Sequence, residues 1–588
     1  MNKFTNYFRK AGFLTLFAAM FSSTSKAAIY TAVLSGNFNA STTWGGSVPG
    51  TLLSSDDIII PTGVTVILTA DQTFTGTSSL TVDGTLTSSA SALIMTGGSL
   101  EGTGTITVDS IALGLISGIT YTGNITVQKF TSLGAAISTT ATVVVGNSLN
   151  LLSGVLSLTS GSLTMSNGST IQVAVGGITV GGTGMLNLTN TYNVSYSGSS
   201  VNAGAELSGA GLSNVTVNIP GSISLSSNLN VNGILMLTSG TLTLNNHNLT
   251  FGTNGDLAVS GTGNIDATSA SNITINATNG LSGNLNFASG GSTVNNFTVN
   301  MGNVSSMAKL GSNLTVNGLL RLQSGKLNIG SNNLMLAAGG LVSGGTSNSY
   351  VVTNGIGSLV MNLVASTTDT FQVGTALHYA PMAITANSSS ASGDVSISVI
   401  DSVYLNGTSG TVLSATQRLV SATWFVSSTA TAAINYNMLA MWNAAMEVNG
   451  FDRTQSYISH FTSSAWDVMA FASATTATNG MYAMARTGIT SLSPFTVADK
   501  NADLTSVSTV SAANGGVTIY PNPATGILYF NTSAKVSNVN IYDVTGRLVK
   551  SAAISNNNSI SVQDISAGFY NVYFSGNGVQ SFQKFIKQ

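Results

Sequence analysis

Residues 227–244 read SNLNVNGILMLTSGTLTL, and the chain repeats this stretch closely enough to decide its fold. Residues 312–329 read SNLTVNGLLRLQSGKLNI, a third copy covers 148–165, and a shorter one, SLTVDGTL, covers 79–86. The three full copies begin 79 and 85 residues apart. Within each copy, apolar residues alternate with Ser, Thr and Asn, which is the period of a β-strand that buries one face.

Corners interrupt this alternation about every seven residues, at Asn-Gly and Ser-Gly pairs such as those of Gly233 and Gly240. Tight corners need residues that tolerate a left-handed backbone. Short strands joined by such corners over many repeats predict a parallel β-solenoid, or β-helix, which we assign to residues 28–345. Coils of about 20 residues give on the order of 14 to 16 coils and a rod about 70 Å long. Asn side chains are expected to form hydrogen-bonded ladders between coils.

The start of the repeat region has a recognisable sequence of its own. WGGSVPG at residues 44–50, followed by DDIIIPTGVTV at 56–66, is similar to the opening of many secreted bacterial solenoids. In that setting Trp44 covers the end of the core, because an uncovered first coil presents open backbone groups to other chains. The alternative role for Trp44 is a stacking platform for a sugar ring.

Residues 1–27 have the pattern of a signal peptide. Three basic residues precede an apolar run at 11–21, which is too short to span a bilayer but suits a signal-peptide core. Small residues follow, and cleavage is predicted after Ala27; the alternative is a short membrane anchor. No later segment has eighteen uninterrupted apolar residues, so no transmembrane segment is expected.

The C-terminal segment 517–588 contains three motifs: YPNP at 520–523, VNIYDVTGRLVK at 539–550 and ISAGFYNVYF at 565–574. Each Pro keeps its predecessor out of a helix, and DVTG and SAG are turn sequences, so a small β-sandwich is predicted. The motifs and the basic last strand resemble the type A C-terminal sorting domain of the Bacteroidota type IX secretion system, which has an Ig-like fold. The motif residues are Tyr520, Pro521, Asn522, Pro523, Asp543, Gly546, Arg547, Gly568, Tyr570, Lys584 and Lys587.

The resemblance implies a route rather than an activity. The type IX translocon would recognise this domain, and its sortase would remove it near the polar linker 501–516. The mature protein would then be released, or attached to surface lipopolysaccharide at the outer membrane. It follows that the protein is expected to be extracellular or at the cell surface.

Residues 346–500 depart from the repeat pattern. They contain three of the four Trp residues and read as strands of a β-sandwich. The layout resembles a module that often lies between a solenoid and a sorting domain of this type. Its aromatic residues are expected to form a core, the alternative being a ligand platform. The whole chain is thus predicted to be all-β, with a solenoid, a β-sandwich and a terminal sorting sandwich in that order.

The composition limits the possible functions. Charged residues make up 6% of the 588, against about a quarter in a typical soluble protein. The net charge is −2 without basic blocks, which argues against a nucleic-acid partner. The chain has no Cys, which excludes disulfides and thiolate zinc sites. No phosphate-binding loop occurs, and no cofactor or metal is expected.

Catalysis by a secreted solenoid would most plausibly be polysaccharide cleavage, by a lyase or a glycosidase. Such enzymes use two carboxylates facing a cleft, or a basic residue beside calcium-binding Asp residues. Only Asp56 and Asp57 are adjacent, and neighbouring strand residues point to opposite faces. Asp83 occupies the turn position of the repeat, and the three His residues have no partner visible in sequence. The solenoid acids are Asp56, Asp57, Asp71, Asp83, Glu101, Asp109, Glu206, Asp256 and Asp266.

Two short motifs predict modification. Asp109-Ser110-Ile111 and Asp401-Ser402-Val403 resemble the three-residue O-glycosylation motif of Bacteroidota, which implies a glycan on Ser110 and on Ser402.

Three functions fit the sequence. The first is a non-catalytic surface stalk or adhesin, favoured by the few charges and the internal copies. The second is a glycan-binding module, which would be supported by a line of exposed aromatic residues along one solenoid face. The third is a polysaccharide-degrading enzyme, which requires at least two of the carboxylates in one cleft.

Overall fold

The computed structural model of the protein describes residues 27–114, 118–133, 140–504, 517–532, 535–554, 557–576 and 579–588. It is nearly all-β, with 3% of its residues helical. The predicted signal peptide, apart from Ala27, lies outside the described residues, as do residues 505–516 of the predicted linker. The chain divides into two compact units: the first runs to Ile400 and adds Trp424–Asn443 and Thr476–Leu492, and the second contains the rest.

A parallel β-solenoid occupies most of the first unit, with about 14 turns between residues 52 and 374. Its strands are β1 (Ile29–Thr31), β2 (Gly36–Asn37), β3 (Leu52–Leu53), β4 (Asp57–Ile60), β5 (Thr65–Ile67), β6 (Gln72–Phe74), β7 (Ser79–Val82), β8 (Thr85–Thr87), β9 (Ala92–Met95), β10 (Ser99–Glu101), β11 (Thr105–Leu113), β12 (Gly118–Ile119), β13 (Asn124–Leu133), β14 (Thr142–Ser153), β15 (Leu156–Leu158), β16 (Ser162–Met165), β17 (Ser169–Val173), β18 (Ile178–Val180), β19 (Met185–Asn187), β20 (Tyr192–Tyr196), β21 (Val201–Asn202), β22 (Leu212–Ser224), β23 (Leu229–Val231), β24 (Ile234–Thr243), β25 (Leu249–Phe251), β26 (Asp256–Val259), β27 (Asn264–Ala267), β28 (Asn272–Ile275), β29 (Asn284–Leu285), β30 (Phe287–Val294), β31 (Asn296–Asn300), β32 (Met307–Leu310), β33 (Leu314–Val316), β34 (Leu319–Ser324), β35 (Lys326–Gly330), β36 (Leu334–Leu336), β37 (Leu341–Gly344), β38 (Val351–Thr353), β39 (Leu359–Leu363), β40 (Thr368–Phe371) and β41 (Val373–Gly374).

Successive coils place strands on three faces, and each strand pairs in parallel with the strands one coil before and one coil after it. One face, for example, stacks β23, β25, β28, β31, β34 and β37. The alternation expected from sequence is the burial pattern observed: in β7, Leu80 and Val82 are buried while Ser79 and Thr81 point outward. The predicted solenoid is therefore confirmed.

Asn ladders connect neighbouring coils, as expected. The Asn248 side-chain oxygen accepts a hydrogen bond from Asn272 Nδ2 at 2.7 Å, and the Asn272 oxygen accepts one from Asn296 Nδ2 at 2.7 Å. The same oxygens accept the backbone N–H of the next Asn at 3.1 Å. The ladder thus satisfies corner amides that lie between the paired strands.

The repeated glycines are required for two different reasons. Gly240 and Gly325, at the Ser-Gly corners, have φ of +79° and +80°, in the left-handed region. Gly233, at the Asn-Gly corner, instead has no room for a side chain: a Cβ there would lie 2.4 Å from Asn214 Oδ1. Each glycine therefore serves either the corner's backbone angle or the close approach of the coil below.

The parallel stack continues past the predicted boundary at residue 345. Val351 and Val352 of β38 pair with Leu327 and Asn328 before them, and with Val373 and Gly374 of β41 after them. Composition changes at about 346 because the outward positions change, whereas the coil-to-coil ladder persists. On another face the stack ends where β39 pairs with an antiparallel strand, Gly393–Ile400.

Antiparallel sheets follow the solenoid. Their strands are β42 (Met382–Ala386), β43 (Gly393–Ile400), β44 (Leu419–Val420), β45 (Thr423–Ser428), β46 (Tyr436–Trp442), β47 (Glu447–Val448), β48 (Ser456–Thr462), β49 (Ala465–Trp466), β50 (Thr475–Thr476), β51 (Tyr482–Ile489) and β52 (Pro494–Asp499). In the first unit β42 pairs with β40 and β46, and in the second unit β48 pairs with β49 and β52. Short 3-10 helices cover Ala205–Leu207, Leu413–Ala415, Ala444–Met446, Arg453–Gln455 and Thr478–Gly480.

The aromatic residues of this segment are buried, as a core role predicts. Trp424 and Trp442 in the first unit are fully buried, and Trp424 Nε1 donates to the carbonyl of Ala380 at 2.8 Å. In the second unit Trp466 is buried, and its Nε1 donates to the carbonyl of Tyr404 at 2.8 Å.

The C-terminal segment forms two antiparallel sheets. Its strands are β53 (Val517–Tyr520), β54 (Ile527–Thr532), β55 (Val536–Asp543), β56 (Leu548–Ala553), β57 (Ser559–Ser561), β58 (Gly568–Gly576) and β59 (Val579–Lys587). One sheet has the order β53-β54-β57 and the other β56-β55-β58-β59. Phe530 of the first sheet packs on Phe574 of the second at 5.0 Å between ring centroids, within one shared core.

Replacing Gly240 by Ala should loosen the solenoid locally. The left-handed backbone costs a residue with a Cβ about 1–2 kcal/mol, and that Cβ would also lie 2.5 Å from the carbonyl oxygen of Ile219. Gly181 is the matched control, because its backbone is not left-handed and a Cβ there meets nothing within 4 Å. Amide hydrogen exchange in the adjoining coils measures the change; equal protection in Gly240→Ala and Gly181→Ala would contradict the expectation.

Candidate functional site

The YPNP segment closes the edge of the last strand. The Asn522 side chain lies beside β59, where its Nδ2 donates to the carbonyl of Lys584 at 3.0 Å and its Oδ1 accepts the N–H of Ile586 at 2.8 Å. Two residues on, the N–H of Ala524 donates to the carbonyl of Ile586 at 2.8 Å. The Asn522 side chain thus replaces a backbone partner on a segment where Pro521 and Pro523 have no N–H to offer.

The DVTG turn is organised by one carboxylate. Asp543 Oδ1 accepts hydrogen bonds from Thr545 Oγ1 at 2.6 Å and from the N–H groups of Thr545 and Arg547 at 3.0 Å. Its Oδ2 pairs with Arg547 Nε at 2.9 Å, and Gly546 takes the left-handed conformation, with φ of +83°. The Thr545 hydroxyl, followed by Arg547, lowers the pKa of the Asp543 carboxyl to about 2. The turn therefore joins β55 to β56 as the sequence indicates.

The remaining motif residues lie on β58 and β59. Gly568 begins β58, and Tyr570 packs its ring on Phe585 at 5.6 Å while its hydroxyl donates to the carbonyl of Ser566 at 2.8 Å. Lys587 points inward and is nearly buried. Lys584 points outward, and its Nζ lies 3.3 Å from the hydroxyl of Tyr404.

The motif residues thus do not form one cleft. Asn522 lies at the edge of β59, Asp543 and Arg547 lie at a turn, and Tyr570 packs on the core. They stabilise a small sandwich with defined edges, which suits an element recognised as a whole.

The comparison with known proteins agrees with this geometry. Residues 518–588 match the family model described as the secretion system C-terminal sorting domain. No curated protein and no solved structure matches the chain. None of the helices in the described part of the chain has the length and apolar character that a membrane crossing needs. The protein is a substrate of type IX secretion, exported to the cell surface or the extracellular space.

The solenoid carboxylates mostly serve the fold. Eight of the nine accept hydrogen bonds from neighbouring amides or hydroxyls, usually those of an adjacent coil. Asp83, predicted to be a turn residue, accepts the N–H of Thr103 at 3.0 Å. Nothing in the arrangement points to a pair of catalytic carboxylates. The other acceptors are Asp56 for Ala28 N, Asp57 for Ser79 Oγ, Asp71 for Ala92 N, Glu101 for Ser99 Oγ, Glu206 for Ile178 N, Asp256 for Ser282 N and Asp266 for Thr243 Oγ1.

Glu206 has a role that sequence reasoning missed. It is fully buried in a 3-10 helix and accepts three hydrogen bonds at 2.8 Å, from Ile178 N, Gly204 N and Tyr196 Oη. Burial, reinforced by the Glu206 carboxylate, raises the pKa of Tyr196 well above its usual value. The carboxylate takes the acceptor position at β18, where a helix rather than a strand follows.

The three His residues lie apart. His247 is half-buried at a corner next to the left-handed Asn246, with φ of +68°. His378 lies in a turn in which its carbonyl accepts the N–H of Thr375. His460 is buried and stacks on Phe495 at 4.2 Å. Within the described residues, no group of three or more His, Asp or Glu could hold a metal ion.

Aromatic platforms for sugars do not occur where they were considered. Trp44 is buried, packs edge-on against Phe38 at 5.2 Å and donates from Nε1 to the Phe38 carbonyl at 2.6 Å, which fits the capping role. The other solenoid aromatics considered are buried too: Tyr121, Phe130, Tyr192, Tyr196, Phe251, Phe287 and Phe297.

The predicted glycosylation sites differ in setting. Ser110 is half-buried on an outward position of β11, in register with Lys129. Ser402 is half-buried, and its carbonyl accepts a hydrogen bond from Thr423 Oγ1 at 2.6 Å. Modification of either residue stays a prediction.

One solenoid face has a polar groove that the sequence did not reveal. Asn230, Thr250, Thr274, Thr298 and Arg321 are consecutive register partners across five coils. At about 4.8 Å per coil, this row is about 20 Å long.

Two depressions, of about 610 and 480 Å³, lie along this row and share Asn276 and Asn300. Among the described residues that line them, Arg321 is the only charged one. The polar groove is lined by Asn230, Asn232, Asn248, Thr250, Gly252, Thr253, Asn272, Thr274, Asn276, Thr278, Asn296, Thr298, Asn300, Met301, Gly302, Leu319, Arg321 and Gln323.

Replacing Asn522 by Ala should free the edge of β59. Two hydrogen bonds are lost, at about 1 kcal/mol each, so the amide of Ile586 should exchange its hydrogen at least several-fold faster. Asn531→Ala is the control, since Asn531 is an exposed residue of β54 with no side-chain hydrogen bond in the described residues. Unchanged exchange at Ile586 in Asn522→Ala would refute the role given to this side chain.

Proposed function

We propose that the protein is a non-catalytic surface stalk or adhesin that the type IX system delivers to the cell exterior. The unbroken stack of about 14 turns supports this most directly, because it forms a rigid rod about 70 Å long. The use of the solenoid carboxylates as hydrogen-bond acceptors for neighbouring groups also favours a structural role over catalysis.

Processing completes the proposal. The signal peptide is removed after Ala27, and the sortase cuts within or near 501–516 after the sorting domain has reached the translocon. The mature chain is then released or joined to surface lipopolysaccharide. A structural rod suits either outcome, because its function lies in its length and faces.

Deleting residues 517–588 should trap the chain in the periplasm of its native host. The sorting domain has its own core and ends next to a polar linker, so the solenoid should fold without it. Immunoblots of periplasmic and extracellular fractions measure the outcome, with a cysteine-free periplasmic protein as the fractionation control. Export of the truncated chain at the wild-type level would overturn the assignment of the address to this segment.

A second function, glycan binding, is favoured by the polar groove. Its amide and hydroxyl side chains both donate and accept hydrogen bonds, as sugar hydroxyls do. The near absence of charge favours a neutral polysaccharide, and a row of about 20 Å favours an extended chain over a single sugar. Recognition would then depend on polar contacts, since the solenoid aromatics considered above are buried.

Replacing Thr250, Thr274 and Thr298 together by Val should weaken such binding at least tenfold. Val keeps the strand preference of Thr and removes only the hydroxyl, so the fold should persist. The matched control replaces Thr87, Thr107 and Thr126, outward residues of the same face outside the groove. Isothermal titration with linear neutral polysaccharides gives the affinity, and chromatography of the recovered glycan should show unchanged length. Equal affinities of the two triple variants would exclude the groove, and shortened glycan would contradict a non-catalytic role.

A further inference from the structure

The sorting domain exposes large apolar side chains where its strands face solvent. In the sheet β56-β55-β58-β59, Val572 and Phe574 point into the core, so their neighbours in β58 point outward. Phe569 and Phe582 are each 67% exposed, although both lie within regular strands. We call the outward set the outer apolar face; it consists of Tyr542, Leu548, Phe569, Tyr573, Phe582 and Ile586.

These side chains form one surface because strand register brings them together. Phe569 pairs with Ile586 across β58 and β59, and Tyr573 pairs with Phe582, with 4.5 Å between ring centroids. Leu548, which is 50% exposed, lies opposite Tyr542 across β55 and β56. A continuous exposed apolar surface of this kind marks an interaction site more often than chance exposure.

The face, rather than the strand edge beside it, is the accessible part. The carbonyls of Lys584 and Ile586 and the N–H of Ile586 are already bonded to Asn522 and Ala524 along the edge of β59. Near the other end of that strand, Gln583 Nε2 donates to the carbonyl of Val517 at 2.9 Å. A partner therefore cannot add a strand along this part of β59, whereas the outer apolar face stays open.

The charge around the face indicates the chemistry of the partner. Residues 517–588 contain five basic residues and two acidic ones, whereas the whole chain has 17 basic and 19 acidic residues. Lys584 lies on the face between Phe582 and Ile586, and the Arg547 side chain, 78% exposed, precedes Leu548. The surface is thus apolar in the middle and basic at its border.

We infer that the outer apolar face docks the sorting domain onto a component of the secretion machinery that presents an apolar patch bordered by acidic side chains. Apolar contact supplies the affinity, and the basic border orients the approach. The inference rests on recognition of the tail by that machinery, and it adds which surface of the tail is recognised.

The test is export of the full-length chain carrying Phe569→Ser and Phe582→Ser together. Both side chains are mostly exposed, so the sandwich should fold, and hydrogen exchange in β55 and β58 checks that it does. The extracellular fraction should fall at least tenfold, with folded chain retained in the periplasm. Ile527→Ser with Tyr529→Ser, exposed on the other sheet, should be exported normally. Normal export of the Phe569/Phe582 variant would overturn the inference.

A second pair of variants tests the border charge without removing apolar surface. Asn571 lies on the same face, in register with Tyr542 and Lys584. Asn571→Asp should reduce export several-fold by repelling an acidic partner, and Asn571→Lys should preserve it. The reverse order would overturn the assigned charge of the partner.

Two outcomes separate this inference from neighbouring ones. If deletion of 517–588 blocks export while every face variant is exported, the tail is the address but the face is not its docking surface. If light scattering shows that the purified wild-type chain is a dimer and that the Phe569/Phe582 variant is a monomer, the face joins two copies of this chain, and docking to the machinery is refuted.

Discussion

The hydrogen-bond ladder between successive coils is the interaction on which the rest of the structure depends. Because each strand pairs in register with the coils before and after it, a residue's neighbours are set by its position in the coil. Columns of Leu, Val and Ile therefore form the core, and columns of Asn and Thr form the outer faces. Where a coil lacks a strand, as at residues 205–207, Glu206 supplies the missing acceptor for Ile178. That substitution shows how strictly the ladder must be satisfied.

The low charge of the chain follows from the same register. Outward side chains repeat about every 4.8 Å along a column, so like charges in adjacent coils would repel by about 1 kcal/mol even in water. The register avoids this cost. Lys129 lies between Ser110 and Ser148, and Arg321 lies between Thr298 and Ser343. Lys309 likewise has Asn284 and Asn328 as its partners. Isolated charges among neutral neighbours are thus a consequence of stacking.

Sequence periodicity was sufficient to predict the solenoid, the buried columns and the Ser-Gly corners, because these depend on residues close together in the chain. It also located the sorting domain, whose turns are local motifs. The groove, the outer apolar face and the role of Asn522 were not predictable, since each depends on register between distant residues. Asn522, for example, bonds to Ile586, 64 residues further along the chain. The stack also extends beyond residue 345, because the ladder tolerates the change in outward composition there.

A structure held by coil-to-coil pairing has ends that could pair with other chains, and each end is closed by different chemistry. At the first coil, Trp44 packs on Phe38 and bonds to its carbonyl, which covers the core with an aromatic side chain. At the last coils, β39 pairs with the antiparallel strand β43, so the direction of the chain no longer permits another parallel coil. In the sorting domain, Asn522 covers the edge of β59 with a side chain. With these edges closed, a partner can distinguish this protein only by its faces, which is where the groove and the exposed Phe residues lie.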